Sequence, residues 1–281
     1  RDVLGSRGLG DVYKRQNTGS FNFKENFKTF IDDMNFGMLV GKSDSKEGNG
    51  IVTTLDTALQ QVAYDALGDN KGSVVAINPK TGEILAMVSK PTFNPNDLDA
   101  EIEKANAGSG DDTPLINRAI DGVYPPGSVF KTVTLSSALE NIPGIAERQF
   151  DDEGKITFDD GTELNNFAYE VHGIIDLRRA YRVSSNVVFG TLAMELGNDA
   201  LKATAENYGF NSVITGPGVS ITSSRFPSLD SSELGNMAQS GIGQGSVLST
   251  PIQMALVTAA VANDGAVSYT HLRAHETLRH L

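Results

Sequence analysis

The chain has 281 residues, 39% of them hydrophobic, and a mean hydropathy of −0.20, which is enough to bury a sizeable core in one large domain or two small ones. Its formal net charge of −12 argues against nucleic acid or an anionic membrane surface as the main partner. It has no cysteine, so disulfide and thiolate chemistry are excluded. The longest apolar run, Ile252 to Ala262, is too short for a membrane span and predicts a buried helix.

The two ends differ in composition from the body of the chain. Residues 1–16 and 266–281 both resemble translated adaptor sequence, so we exclude them from the predicted fold. The second of these segments holds three of the four histidines: His271, His275 and His280. A metal or catalytic cluster is the alternative interpretation, but no carboxylate or further ligand is suitably spaced.

The first predicted elements are a linker, a helix and a hairpin. Residues 17–50 are polar and predict a linker or a short separate segment. Asp56 is a suitable N-cap for a helix in which apolar residues recur at helical spacing, namely Leu55, Leu59, Val62 and Ala66. Two strand-like runs, 72–77 and 84–88, flank Asn78-Pro79-Lys80-Thr81-Gly82, whose proline and glycine favour a turn.

A mostly helical region is predicted after residue 121. It comprises a helix over 128–139, a small hairpin over 155–164, and helices over 176–181, 186–196 and 201–208. Gly197 and Gly209 are expected to end the last two. A final helix should begin at Thr250-Pro251, with Gln253 at the capping-box position.

The segment Ser128-Val129-Phe130-Lys131 is the strongest candidate for chemistry. A serine hydroxyl is a weak nucleophile until a base removes its proton. Residues three apart on a helix share a face, so Lys131 can reach the Ser128 oxygen, provided that burial lowers its pKa and keeps it neutral. Ser128 at the helix start could also offer its backbone N–H to an oxyanion. The alternative is an ordinary helix start with a solvated lysine.

Context separates this segment from a chance match. Ser43-Asp44-Ser45-Lys46 has the same spacing but lies in a polar stretch without a helix behind it. Only Ser128 is preceded by Pro-Pro-Gly and followed by an apolar helical pattern. On the four letters alone the ordinary helix start is favoured. This context makes Ser128 the candidate nucleophile and Lys131 its candidate base.

Ser184-Ser185-Asn186 lies at the predicted junction of two helices. A hydroxyl at Ser184 could relay a proton between Lys131 and a leaving amine, and the Asn186 amide could bind both Lys131 and a substrate backbone. The alternative is helix capping, for which Ser and Asn are common. The glycine cluster 241–245 invites a phosphate-loop interpretation, but the next helix begins later, so a structural loop beside the cleft is favoured.

Three segments in this order, YPPGSVFKTVT, SSNVVFGTLAMELG and SGIGQGSVLSTPIQMALVTAAVANDG, resemble the transpeptidase domain of class B penicillin-binding proteins. GSVVAINPKTGEILAMVSKPTFNPN resembles the hairpin that begins this domain, so the resemblance covers residues 51–265. It implies an α/β (α+β) fold of the serine β-lactamase and penicillin-binding-protein type, with helices flanking a central antiparallel sheet. Of that sheet we expect only the N-terminal hairpin here, together with the helical region.

The family's third motif, Lys-Thr-Gly, lies on a strand after the second motif. Lys80-Thr81-Gly82 has the right letters, but it precedes Ser128 and is explained by turn chemistry, so we reject it as catalytic. We expect the sequence to stop before the family's motif, and therefore expect this chain alone to be inactive.

The resemblance implies a peptidoglycan D,D-transpeptidase that works through a serine acyl-enzyme, without metal or cofactor. Its implied ligands are a stem peptide ending in D-Ala-D-Ala and β-lactam antibiotics, and its implied partners are a glycosyltransferase and divisome or elongasome proteins. An N-terminal membrane anchor outside this chain would hold the domain on the extracytoplasmic side of the bacterial membrane. The alternatives are a serine β-lactamase or D,D-carboxypeptidase, or a non-catalytic β-lactam sensor.

Overall fold

The computed structural model describes residues 53–97, 100–103, 114–216 and 219–266. The predicted head (1–16), the linker (17–50) and residues 267–281 of the tail lie outside this part, as do Ser43 and the histidines of the tail. The chain forms two compact units, one built around residues 53–121 and 214–221 and the other around 122–213 and 222–266. The proposed domain boundaries stay predictions.

The first unit holds a helix packed on a hairpin. Helix α1 (Thr57–Leu67) begins at Asp56, whose carboxylate accepts hydrogen bonds from the N–H groups of Ala58 and Leu59. Strands β1 (Gly72–Ile77) and β2 (Ile84–Lys90) pair antiparallel from Gly72 opposite Lys90 to Ile77 opposite Ile84. Both elements follow the sequence prediction.

The buried side of α1 differs from the side that its apolar spacing marks. Ala63 is buried against Ala86 and Val88 of the hairpin. Leu59 and Val62 are instead 36% and 64% exposed. The 3.6-residue spacing thus located the helix correctly, but the small Ala63, which lies beside the stripe, makes the contact with β2.

The second unit carries the remaining long helices and two short two-stranded sheets. Its helices are α2 (Lys131–Asn141), α3 (Leu177–Val183), α4 (Asn186–Asn207), α5 (Leu234–Gly241) and α6 (Pro251–Val261). Strands β3 (Gln149–Asp152) and β6 (Gly173–Asp176) pair antiparallel, as do β4 (Lys155–Thr157) and β5 (Glu163–Asn165). A further hairpin, β7 (Ile214–Gly216) and β8 (Val219–Ile221), belongs to the first unit.

Glycines break the helical region where the sequence predicts. Helix α4 is kinked at Gly197, whose φ of 72° and ψ of 168° are not helical. The β4–β5 hairpin turns through Gly161 at a φ of +82°. Glycine enters this left-handed region without the steric cost that a side chain brings.

Helix α6 begins at Thr250, whose side chain accepts a hydrogen bond from the Gln253 N–H. The expected capping box is only half formed, because the Gln253 amide donates to the carbonyl oxygen of Tyr208 at 2.6 Å. The Thr250 N–H donates to the Ser224 hydroxyl instead. The buried Gln253 side chain thus satisfies the Tyr208 carbonyl rather than the N-terminus of α6.

Candidate active site

Ser128 lies in a tight turn at the start of α2. Residues Gly127–Phe130 form a 3₁₀ turn that runs directly into the helix, and Gly127 has a φ of +60°. Phe130 is fully buried, stacked on Phe226 with ring centroids 5.7 Å apart. The buried ring anchors the turn, while Ser128 itself is exposed. The predicted nucleophile therefore lies at the surface, on a turn that the buried Phe130 ring anchors.

The predicted glycine loop, residues 241–245, packs against the turn that carries Ser128. The Gly127 N–H donates to the Gly243 carbonyl oxygen at 2.8 Å. A Cβ atom at Gly243 would lie 2.3 Å from the Gly127 oxygen and 2.7 Å from Cβ of Phe130. Gly243 is thus required for the two backbones to approach, and the loop over 241–245 acts as packing for the Ser128 turn.

Lys131 brings the two predicted motifs together. It is buried, with 1% of its surface exposed, and its Nζ lies 3.3 Å from the Ser128 hydroxyl. The same nitrogen donates to the Ser184 carbonyl oxygen at 2.6 Å and to Asn186 Oδ1 at 2.7 Å, and lies 3.0 Å from the Ser184 hydroxyl. Burial lowers the pKa of Lys131 from 10.5 to about 8, because the charged form loses hydration.

The partners of Lys131 are of two chemical kinds. The Ser184 carbonyl and the Asn186 amide oxygen can only accept, so they occupy two N–H positions of the tetrahedral nitrogen. The hydroxyls of Ser128 and Ser184 can donate as well as accept. When the amine is neutral, its lone pair is consequently directed at the side of the hydroxyls. This arrangement can take a proton from either serine.

Ser184 reaches Lys131 because its backbone is left-handed, with φ 58° and ψ 43°. This conformation places both its carbonyl oxygen and its hydroxyl on the lysine nitrogen. Left-handed backbone is uncommon outside glycine and carries a strain of roughly 1–2 kcal/mol. The N-cap of α4 is the next residue, Ser185, whose hydroxyl accepts from the Val188 N–H. The N-capping alternative thus applies to Ser185, whereas Ser184 ends α3 as its C-cap.

Two buried residues behind the site, Asp152 and Asn166, were not foreseen from the sequence. The carboxylate of Asp152, fully buried, accepts hydrogen bonds from the Ser185 hydroxyl and the Asn166 amide, both at 2.7 Å. Asn166 in turn accepts from the Asn186 N–H at 2.8 Å. One aspartate and one asparagine in a polar hairpin sequence give no local signal, since their partners are 33 and 20 residues away.

A cavity of about 440 Å³ opens beside the three predicted polar residues Ser128, Lys131 and Ser184. Its remaining walls are Val129, Thr132, Tyr181, Thr258 and Val261. This size lies within the range of small-molecule sites, and the mixture of apolar walls with a few convergent polar groups is typical of them.

The structure places Lys80-Thr81-Gly82 in the β1–β2 turn, where all three residues form hydrogen bonds within the turn. The Thr81 hydroxyl donates to the Glu83 carboxylate at 2.8 Å, and the Gly82 N–H donates to the Asn78 carbonyl at 2.8 Å. The Lys80 N–H donates to the Asn78 side chain. These contacts account for the three residue types by turn formation alone. Among the described residues no group of three metal-ligating side chains occurs.

Comparison with known proteins gives the same family that the sequence motifs resemble. The penicillin-binding protein transpeptidase domain matches residues 72–277. The peptidoglycan D,D-transpeptidase PbpA of Mycolicibacterium smegmatis is 36% identical over 241 residues, which are 80% of this chain and 48% of that protein. The chain thus spans about half the length of the curated relatives it matches.

Solved structures agree. The D,D-transpeptidase domain of a peptidoglycan glycosyltransferase from Eggerthella lenta superposes with a TM-score of 0.74 at 35% identity, over 83% of this chain and 59% of that one. The penicillin G acyl-enzyme of Mycobacterium tuberculosis penicillin-binding protein A gives 0.70 at 30% identity, over 90% and 60%. Helicobacter pylori PBP2 in complex with MreC gives 0.69 at 25% identity, over 77% and 42%.

The described helices include none long and apolar enough to cross a membrane. The α/β architecture with short antiparallel strands agrees with the predicted fold. From the order of its motifs, the geometry around Lys131 and these matches, the chain belongs to the transpeptidase family of penicillin-binding proteins, among the class B members.

Proposed function

We propose that the gene product containing this chain is a peptidoglycan D,D-transpeptidase, with Ser128 as nucleophile, Lys131 as base, Ser184 as proton relay and Asn186 as an orienting group. The observation that carries the proposal is the convergence of the other three residues on the buried amine of Lys131, with Asn186 Oδ1 2.7 Å and the Ser128 hydroxyl 3.3 Å from its Nζ. A lysine with a pKa of about 8 is neutral in a useful fraction of molecules near neutral pH.

In the acylation step the Ser128 oxygen attacks the carbonyl carbon of the penultimate D-Ala of a donor stem peptide. The hydroxyl proton passes to neutral Lys131, whose lone pair faces it. The carbon–nitrogen bond to the terminal D-Ala then breaks, and the leaving nitrogen takes a proton from Lys131 through the Ser184 hydroxyl. The products are a Ser128 ester and free D-Ala.

Transfer reverses these roles. An acceptor amine from a second stem peptide attacks the ester carbonyl and loses a proton to the same relay. The ester bond to Ser128 breaks, and the oxygen regains its proton from Lys131. A new amide bond joins the two strands. β-Lactams would enter the first half of this cycle, because ring opening by Ser128 gives an ester and no diffusing leaving group, as in the penicillin G acyl-enzyme of the tuberculosis protein.

The proposed ligands are accordingly a D-Ala-D-Ala stem peptide and β-lactams. The whole protein would be held at the bacterial cell membrane with this domain on the extracytoplasmic side, and would cooperate with a glycosyltransferase and elongasome or divisome proteins. The complex of Helicobacter pylori PBP2 with MreC supports a partner of that kind. The formal net charge of −12 supports the expectation that nucleic acid is not a partner.

The test is labelling of the full-length gene product with a fluorescent penicillin, followed by peptide mapping. We expect one ester-linked label, on Ser128, and none in the Ser128→Ala variant. Incubation with a D-Ala-D-Ala donor and an acceptor amine should then release D-Ala and form the cross-linked amide. A label on another serine, or a folded protein that takes no label, would exclude the proposed role of Ser128.

A further inference from the structure

A buried carboxylate lies behind the Ser184-Ser185-Asn186 segment without touching Lys131. Asp152, at the end of β3, is fully buried and its carboxylate accepts three hydrogen bonds. They come from the Gly154 N–H at 3.0 Å, the Asn166 amide at 2.7 Å and the Ser185 hydroxyl at 2.7 Å. A buried carboxylate is costly unless it is hydrogen-bonded, and these three donors satisfy it.

One branch of this network fixes the turn at Ser184. The Ser185 hydroxyl has a single proton, which it donates to Asp152, so its lone pairs remain for the Val188 N–H at 3.0 Å. Asp152 thereby sets the direction in which Ser185 caps α4. The preceding residue, Ser184, must then take its left-handed conformation to close the turn between α3 and α4. That conformation presents the Ser184 carbonyl and hydroxyl to Lys131.

The other branch fixes Asn186. The Asn166 amide nitrogen donates to Asp152 and to the Glu170 carbonyl at 2.9 Å, so both its protons are used. Its oxygen therefore faces the first N–H groups of α4 and accepts from Asn186 at 2.8 Å and Val187 at 3.2 Å. The reverse amide orientation would set N–H groups against N–H groups and an oxygen against the carboxylate. Asp152 thus determines the orientation of Asn166, which holds the backbone of Asn186.

We propose that Asp152 is a positioning residue for the transpeptidase reaction, acting through Ser185 and Asn166 to hold Ser184 and Asn186 on the amine of Lys131. It touches neither substrate nor Lys131. The inference rests on the proposed function of the site and names residues outside its catalytic set. Displacement of a reacting group by about 1 Å can cost roughly a hundredfold in rate, which sets the scale of the expected effect.

Asp152→Asn is the sharpest variant because it keeps the size of the side chain. Its amide oxygen must face the donors on Gly154 and Asn166, which leaves the new NH₂ group against Ser185. The Ser185 hydroxyl then loses its acceptor. Asp151→Asn is the matched control. Asp151 is the neighbouring residue on the same strand and is exposed, and the substitution makes the same change from carboxylate to amide. Ser185→Ala cuts one branch alone and leaves the carboxylate in place.

The experiment measures the rate constant and the final amplitude of penicillin labelling in the full-length gene product. We expect Asp152→Asn and Ser185→Ala to label roughly 10- to 100-fold more slowly with most of the protein still labelled, and Asp151→Asn to match the wild type. A merely structural role would lower the amplitude and leave the rate constant unchanged, which would overturn the inference, as would wild-type rates in both variants.

If Asp152→Asn fails to fold, Ser185→Ala alone decides, since loss of one N-cap is tolerated by most helices. Wild-type protein that is itself unlabelled would overturn the proposed function and this inference with it. Normal wild-type labelling together with unchanged variants would overturn the inference alone.

Discussion

The Lys131 amine lies 2.6 Å from the carbonyl oxygen of Ser184, a group that can only accept a hydrogen bond. This contact, with that to Asn186 Oδ1 at 2.7 Å, directs two N–H bonds of the amine away from Ser128. What remains on the side of the hydroxyls is the lone pair or the third proton. The left-handed backbone of Ser184 is the structural cause, since it places a main-chain acceptor where a side chain would otherwise be required.

The first prediction concerns pH. In the proposed mechanism neutral Lys131 is the active form, and burial lowers its pKa to about 8, so the rate of acylation should rise with pH. Below pH 7 the rate should increase nearly tenfold per unit, bend near pH 8 and level off above pH 9. Rates of penicillin labelling from pH 5.5 to about 9.5 measure this. A rate that falls as pH rises through this range would assign the base role to another group.

The same lowered pKa should appear in stability. Folding depresses the pKa of Lys131, so between about 8 and its unfolded value the unfolded state binds more protons than the folded state. The contribution of Lys131 to the free energy of unfolding should therefore increase with pH across this window. Urea unfolding of the wild type and of Lys131→Met at pH 7.5 and 9.5 isolates it. An equal change in both proteins would mean that Lys131 is not responsible.

A third prediction separates base from charge. Lys131→Arg keeps a cation, but a guanidinium is not deprotonated in proteins, so it cannot accept the Ser128 proton. We expect labelling to fall by at least the roughly 10²–10⁴-fold that a general base contributes, with an unchanged circular dichroism spectrum. Near wild-type labelling would show that Lys131 acts only through its charge.

Ser184→Ala should damage chemistry more than stability. The hydroxyl lies 3.0 Å from Lys131 Nζ, but it is exposed and does not cap α4. We expect release of D-Ala to slow by on the order of a hundredfold, while the free energy of unfolding changes by about 0.5 kcal/mol or less. Ser136→Ala is the control. Ser136 lies on the same helix as Lys131, and the substitution removes a hydroxyl that is hydrogen-bonded to the Tyr208 hydroxyl. This variant should release D-Ala at the wild-type rate. Loss of stability with a normal rate would restore the purely structural interpretation.

Local patterns in the sequence were sufficient for most of the elements. They also selected four residues that the structure brings together at Lys131, whose catalytic roles stay predictions. Asp56 and Thr250 act as N-caps, and Gly197 breaks α4, because these effects depend on near neighbours in the chain. The Asp152 network could not be predicted in this way. It joins the end of β3, the residue after β5 and the start of α4 through contacts between residues 14 to 33 positions apart in the sequence. The half-formed capping box at Gln253 has the same origin, a distant carbonyl on Tyr208.

The last prediction tests the support of the Ser128 turn through Gly243. Gly243→Ala places a methyl group 2.3 Å from the Gly127 oxygen in a backbone of φ +72°, so it combines left-handed strain with overlap. Gly161→Ala is the control, because its φ is +82° but nothing lies within 4 Å of the added atom. We expect a loss of about 1 kcal/mol in the free energy of unfolding for Gly161→Ala and about 3 kcal/mol for Gly243→Ala.

Only Gly243→Ala should also slow labelling, because relief of the overlap moves Gly127 and with it Ser128. Chemical unfolding and labelling rates of both variants decide this, and equal effects at the two positions would show that the close approach of the two backbones is unimportant.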